Sequence, residues 1–517
     1  MAVRGYRLTV DWSGDNSHDG PHEDVTSRVR PDPVLEVTYG RDSSATAGQI
    51  PTGSMGFALN NLDRVLSPQN AASPLAGKVR PGRRVQLTFT HPTTGQIINL
   101  WAGITDRVFT EPNTAGLPLS VECLDAWGRP GAESLSTPLY RGLRTGDAIN
   151  VVLDAAGWTG GRDIDPGATV MPWWWAEDVD AGTAIERIVD SEGPPAIAYV
   201  QAGTFVFRDR HHRLIRDRSL TSQGMYTHIQ PAGTGPAGDY KILRGAIYDD
   251  GLSNIVNSCT INVEERIPAD RAEVWVSEEP TPIGAGGTVT IFAQADDPFM
   301  DATVVVDAVG GPVTVALSRT SGRSTILTLT APSDALVNRL SVVATPVTVA
   351  RTVKIVEEDV SSIDEFGQQT WQGEPVWASA SDAQAIARRV VSTYATARPI
   401  ITVSIAYAPG MPSRYLDQVM TRQVSDRIWL RIDPLGVNGP FLIERVHHEI
   451  IRLGAIHRLT LTCEVPDPVQ PATVFTFDVA GRGFDQGGFG LSGIDNPATM
   501  LRFDVAGQGF DQGFFAS

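Results

Sequence analysis

The sequence predicts a mainly β, multidomain chain with α+β insertions: β-barrel-like domains, an all-β module and an extended C-terminal tail. Three observations predict it. Short β-branched or alternating runs recur along the chain with turn residues between them. Helical periodicity is confined to a few stretches. The composition changes after Pro466-Asp467-Pro468, where Gly and Phe become frequent. Gly (50) and Pro (35) punctuate the 517 residues more often than a helical protein tolerates. At roughly 100–200 residues per domain this length implies about three to five domains, each able to bury a core without staples.

The first unit, residues 1–135, reads as β. Its runs are Tyr6–Trp12, Val34–Tyr39, Ser54–Asn60, Arg84–His91, Ile97–Phe109 and Pro118–Leu124, a pattern of barrel or sandwich type. Residues 136–240 form an α+β unit. Thr145 is placed to cap a helix over Gly146–Ala156, with Gly157 as its stop, and a second helix spans Ala181–Glu192. A hairpin follows, turning at Gln201–Gly203. Residues 241–360 are read as an all-β module, because no helical period interrupts the runs from Ala272 to Val356. Residues 361–466 form a second α+β unit: a turn-like piece at Ser361–Gly367, a helix capped by Ser381 and running through Ala395, then strands at Ile400–Tyr407, Asp426–Ile432, Gly439–Ile451 and Ile456–Val465. Residues 467–517 carry an internal repeat, FDVAGRGFDQGGF (Phe477–Phe489) and FDVAGQGFDQGFF (Phe503–Phe515). Gly at this density opposes helix, and so few copies cannot build a solenoid. Phe477, Phe484, Phe489, Phe503, Phe510 and Phe514 then read as aromatic pegs on a flexible strip, docking on a partner subunit or packing on the chain's own body.

The formal net charge of -17 leaves no basic footprint for holding nucleic acid. An acidic passage that DNA crosses without sticking remains compatible with it. Cys123, Cys259 and Cys463 are widely spaced within strand-like runs, which fits buried free thiols rather than a disulfide framework or zinc site. The N-terminal segment lacks the apolar stretch of a signal peptide, and no apolar run is long enough to span a membrane. Synthesis in a cytoplasm is expected.

No catalytic set emerges: there is no G-x-S-x-G elbow, H-E-x-x-H pair or P-loop. Neither a catalytic residue, a metal ligand nor a cofactor is expected. Adjacent histidines on a strand, as at His447-His448, point to opposite faces and cannot chelate one ion from the same side; His457 is placed to meet one of them across neighbouring strands. His211-His212 follows a strand and reads the same way. Asp15 to Gly20 resembles the opening of a calcium loop, but Thr26 stands where the bidentate Glu belongs, so a side-chain-satisfied turn is expected. Trp173, Trp174 and Trp175 are the densest aromatic cluster. Alternation lets at most two share a surface, for a glycan or for an interdomain contact.

The ordered segments carry a family resemblance. LTVDWSGDNSHDGPHEDVTSRV, then NNLDRVLSPQNAASPLAGKVRPGRRVQLTFTH with LWAGITDRVF, resemble the first β domain of minor tail proteins of actinobacterial (Streptomyces-type) phages. The stretch STPLYRGLRTGDAINVVLDAAGW, the PWWWAEDVDAGTAIERIVDSEGPPAIAYVQAGTFVFRDRHH stretch, and SSIDEFGQQTW through DRIWLRIDPLGVNGPFLIERVHHEIIRLGAIHRLTLTCEV are similar to the following domains of the tail hub, or baseplate hub, family. The resemblance runs to about Pro466 and leaves the repeats outside. It implies a structural, non-enzymatic virion protein at the tail tip: a homotrimer closing the tail tube, with two related β domains per subunit. The partners it implies are a distal tail protein, a tape measure protein, and fibres or other minor tail proteins, with DNA only in transit during ejection and no stable membrane insertion. The alternative is a peripheral receptor- or glycan-binding tail protein.

Overall fold

The computed structural model of the chain describes residues 5–31, 34–41, 53–110, 117–128, 130–229, 239–373, 377–452 and 455–466. The repeated tail with its six phenylalanines lies outside these residues. The architecture is mostly strand, in several sheets.

Alternation builds the first sheet. Arg84–Thr90 buries Val85, Leu87 and Phe89 and exposes its two end residues. It pairs antiparallel with Tyr6–Val10 on one side and Ile97–Thr110 on the other. Pro118–Asp125 and then Ser54–Asn60 complete a five-stranded antiparallel sheet.

A second, larger sheet combines strands from the middle of the chain with strands from its C-terminal part. Its order is Asp239–Lys241, Met225–Thr227, Arg427–Ile432, Val437–Ile451, Ile456–Glu464, Ile400–Tyr407 and Leu243–Asp249. The two outermost strands of that order are consecutive in sequence, separated only by the buried Ile242. The chain therefore steps directly from one edge to the other, and the sheet curls towards closure as a barrel does.

The eighth strand of this sheet is Leu35–Gly40, which pairs with Val437–Ile451 from Leu35↔Ile450 to Gly40↔Arg445. The sequence assigned this run to the N-terminal β unit. The structure corrects that: alternation fixes a strand, whereas its partner is fixed by which core accepts its apolar face. Gly40 ends the strand at φ +102, and a Cβ there would lie 2.4 Å from the Glu444 carbonyl oxygen, so only glycine fits this crossing. Leu8, Phe57, Leu87 and Val121 of the first sheet share one continuous core with Val37, Ile401, Leu430, Val446 and Leu461 of the second.

The helical unit has a separate core of Trp127, Leu153, Ile185, Phe205 and Phe207. Ala181–Glu192 is capped by Asp180, whose carboxylate accepts from the Thr183 N–H. Thr145 is not a cap: it is the first residue of helix Thr145–Ala155, and its hydroxyl donates to the buried Glu192 carboxylate at 2.7 Å. Helix Ala380–Tyr394 likewise begins before the expected Ser381, with Ser379 capping the Asp382 N–H. Val360–Phe366 is a short helix rather than a turn. Ser413–Thr421 is a helix that sequence reading did not find.

Ser258–Pro268 and the second half of Ala335–Glu358 form a long antiparallel ribbon. Ala383, Ile386, Ala387 and Val390 of helix Ala380–Tyr394 pack on it. At the ribbon's far end residues 272–346 fold into an all-β module with its own core, including Phe299, Leu327, Leu340 and Val342. Cys123, Cys259 and Cys463 are buried free thiols. No described helix is long and apolar enough to cross a membrane.

Candidate functional site at the joint of the two β domains

A hydrogen-bonded chain of four buried side chains crosses the joint. The Tyr6 hydroxyl meets His457 Nδ1 at 2.8 Å. His457 Nε2 meets His448 Nδ1 at 2.9 Å, and His448 Nε2 meets the Tyr39 hydroxyl at 3.4 Å. Tyr39 can donate to the Arg422 carbonyl at 3.3 Å. That last acceptor sets a polarity for the row. If Tyr39 donates to Arg422, its oxygen accepts from His448 Nε2–H, His448 Nδ1 accepts from His457 Nε2–H, and His457 Nδ1 accepts from Tyr6. Every proton then has an acceptor with both imidazoles neutral. Burial also favours neutrality: it lowers the His448 pKa to about 3, helped by the nearby His447, and holds His457 well below its ordinary value, helped by His448. Gln201 Nε2 donates to Tyr39 from the hairpin of the helical unit, so three units meet at this ring.

Beside this neutral chain lies a charged one. The segment 208–218 runs RDRHHRLIRDR, and most of its ionic side chains point inward. Arg213 pairs with Glu444 at 2.6 Å, both nearly inaccessible, with side-chain exposures of 6% and 7%. Arg218 grips Asp426 through two bonds of 2.6 and 2.5 Å. Asp165 accepts from His212 Nδ1 at 2.7 Å and Arg216 at 2.8 Å. Burial works against its ionisation, but His212 and the surrounding arginines outweigh it and hold the carboxyl at about 2. Burial first, then the Glu444 charge, raises Glu464 to about 7. Arg41, just beyond Gly40, donates to the carbonyls of Pro195 and Ala196 at 2.9 and 3.0 Å. The helical unit is thus stitched to the second sheet by buried ion pairs that leave little freedom of orientation. Sequence reading placed His457 against one of His447 and His448 without choosing, the structure selects His448, and Tyr6, Tyr39, Arg213 and Glu444 were missed. The one available signal was the density of charge in 208–218.

Trp173 and Trp174 are buried, at 8% and 1% exposure. The Trp173 indole N–H donates to the Arg266 carbonyl of the ribbon at 3.1 Å, and Trp174 joins the core of the helical unit. Trp175 lies just past the strand, half-buried, edge-on to Trp377 at 4.8 Å and under the Arg266 guanidinium at 5.3 Å. The cluster is therefore a contact between the helical unit, the ribbon and the segment leading into helix Ala380–Tyr394.

The calcium-like loop closes on itself. Asp11 accepts from the Gly14, Asp15 and Asn16 N–H groups and from Ser13, and Glu23 accepts from Ser13 and Gly20. On the outer face, Glu36, His447 and Glu449 converge, but Glu449 is held by Arg458 through two bonds of 2.9 and 2.8 Å, and His447 Nδ1 by the Thr38 hydroxyl at 2.7 Å.

No family model matches the chain, and no curated protein matches it. Among solved structures it is similar to a tail protein from Neisseria meningitidis MC58, at 11% identity over 89% of this chain and 97% of that one, with a TM-score of 0.48. A 43 kDa tail protein of prophage MuSo2 from Shewanella oneidensis aligns at 9% identity over 90% and 98%, also at 0.48. Prophage tail protein gp18 from Listeria monocytogenes EGD-e aligns at 10% identity over 89% and 94%, at 0.40.

Proposed function

We propose that the chain is a structural hub subunit of a phage tail tip, working as a homotrimer that closes the tail tube. The observation that carries this reading is the joint. Two β domains share one continuous core. Three such pairs around an axis present six β domains, the arrangement that the resemblance of the ordered segments implies. In this reading a distal tail protein lies above, the tape measure end occupies the lumen, and fibres or other minor tail proteins attach outside. The mechanism is a conformational gate that opens for DNA. A chain of net charge -17 suits such a passage, because an acidic wall repels phosphate.

The role in this reading is structural rather than enzymatic, since the joint histidines are bonded to each other and to two tyrosines and its carboxylates are paired with arginines. The peripheral, glycan-binding alternative loses its main support with Trp173 and Trp174 buried. Light scattering on the purified protein, together with native mass measurement on tail tips, tests the proposal. Three copies of the 55.6 kDa chain are expected; a strictly monomeric mass in both preparations overturns it.

A further inference from the structure

A cavity of about 270 Å³ opens where the helical unit meets the segment before helix Ala380–Tyr394, walled by Trp175, Trp377 and Ala184. Glu177, Arg187 and Arg323 also line it. Arg187 is exposed, and Arg323 pairs with Glu177 at 2.5 Å, so the ionic groups there sum to a positive charge. A benzene ring needs about 150 Å³, so by size this cavity takes a phenyl group with a polar neighbour, and its lining offers both aromatic and charged partners.

The repeats at the C-terminal end supply that chemistry. Phe477-Asp478, Phe484-Asp485, Phe503-Asp504 and Phe510-Asp511 each join a ring to a carboxylate. The exit of the chain brings them within reach. Arg398 ion-pairs with Glu464 at 3.3 Å, donates to the Val465 carbonyl, and lies over the Tyr394 ring at 5.2 Å. The last described residues therefore leave beside the C-terminal end of helix Ala380–Tyr394, while the cavity sits at its N-terminal end. That helix is about 22 Å long. From Pro466 to Phe477 an extended chain reaches roughly 36–40 Å.

We propose that a Phe-Asp pair of the first repeat seats in this cavity of its own chain, the ring against Trp175 and Trp377 and the carboxylate on Arg187. Aromatic edge-to-face contact and a rim ion pair hold it. The seat stands independently of the hub reading, since it concerns one chain alone.

Hydrogen exchange on the full chain tests it. Amides of residues 477–489 are expected to exchange at least about tenfold more slowly than in a free peptide of the same sequence. Arg187→Glu should abolish that protection, and adding Asp478→Arg with Asp485→Arg to the same chain should restore it. Trp377→Leu should weaken it. Free-peptide exchange in the unaltered chain, or protection indifferent to both Arg187→Glu and Trp377→Leu, overturns the proposal. Protection that disappears on dilution assigns the cavity to a second copy's repeat and overturns the same-chain seat.

Discussion

The joint and the all-β module are both built from alternating strands, yet they are fastened differently. At the joint, two sheets and a helical unit meet through one apolar core, a row of neutral hydrogen bonds and buried ion pairs. The module at 272–346 has a private core and hangs from a two-stranded ribbon. Its ion pairs, such as Arg339–Glu273 at 2.7 Å, lie on the surface. The difference teaches where this molecule can change. A joint fixes orientation because altering one member strands its partner in a dry interior. The module also meets the helical unit through Arg323, which pairs with Glu177 at 2.5 Å, and away from that contact its strands can be altered with little consequence for the joint.

The strongest way to break this comparison is to remove one buried charge. Arg213→Ala takes the guanidinium at 2.6 Å away from the buried Glu444 carboxylate and should cost about 3–5 kcal/mol. Urea unfolding followed by fluorescence checks it, and an unchanged midpoint would show that the stitch contributes nothing.

Acid offers the next test. The two joint histidines stay neutral when folded but protonate near pH 6.5 when unfolded. Protons therefore favour the unfolded state: the joint keeps its full stability above that pH and loses it as the pH falls, by about 1.4 kcal/mol per unit for each histidine. Glu464 works in the opposite direction. Its raised pKa gives stability that is fully present at low pH and lost as the pH rises through about 7. A His448→Gln, His457→Gln double variant isolates the histidine contribution: it should be weaker than the parent at pH 8, yet lose less stability between pH 7 and 5. Parallel pH profiles would contradict this. The module contains no histidine, so its own melting should not carry this histidine term.

A smaller effect is expected at the crossing strand. Gly40→Ala meets both an unfavourable φ and the Glu444 carbonyl, and should destabilise the joint by roughly 1–3 kcal/mol. At the far end of the scale, Arg339→Ala in the module should leave the thermal midpoint where it is.

How much of this was legible depended on range. Helix Ala181–Glu192 was readable because its apolar stripe and Gly193 stop lie within one short window, and the structure adds the Asp180 cap. The strands of the module were readable because no helical period interrupts the short alternating runs that its turns separate. The partner of Leu35–Gly40 was not, since alternation names a strand's inner face and says nothing about which distant sheet will cover it. Helix Ser413–Thr421 escaped because it is short and begins next to Pro412, where turn signals dominate. At the site, strand alternation was enough to separate His447 from His448 and to divide the tryptophans. Tyr6 and Tyr39 could not be foreseen, because their hydroxyl partners are hundreds of residues away.

The row that joins Tyr6 to His457 spans 451 positions of sequence. A ribosome adding about 5–20 residues per second needs roughly 20–90 s to make that length. For the part of that interval after Asp125 is made, the N-terminal sheet has an inner face that lacks the strands that will cover it. The N-terminal sheet therefore gains its full cover only once the last strand, Ile456–Glu464, has been made.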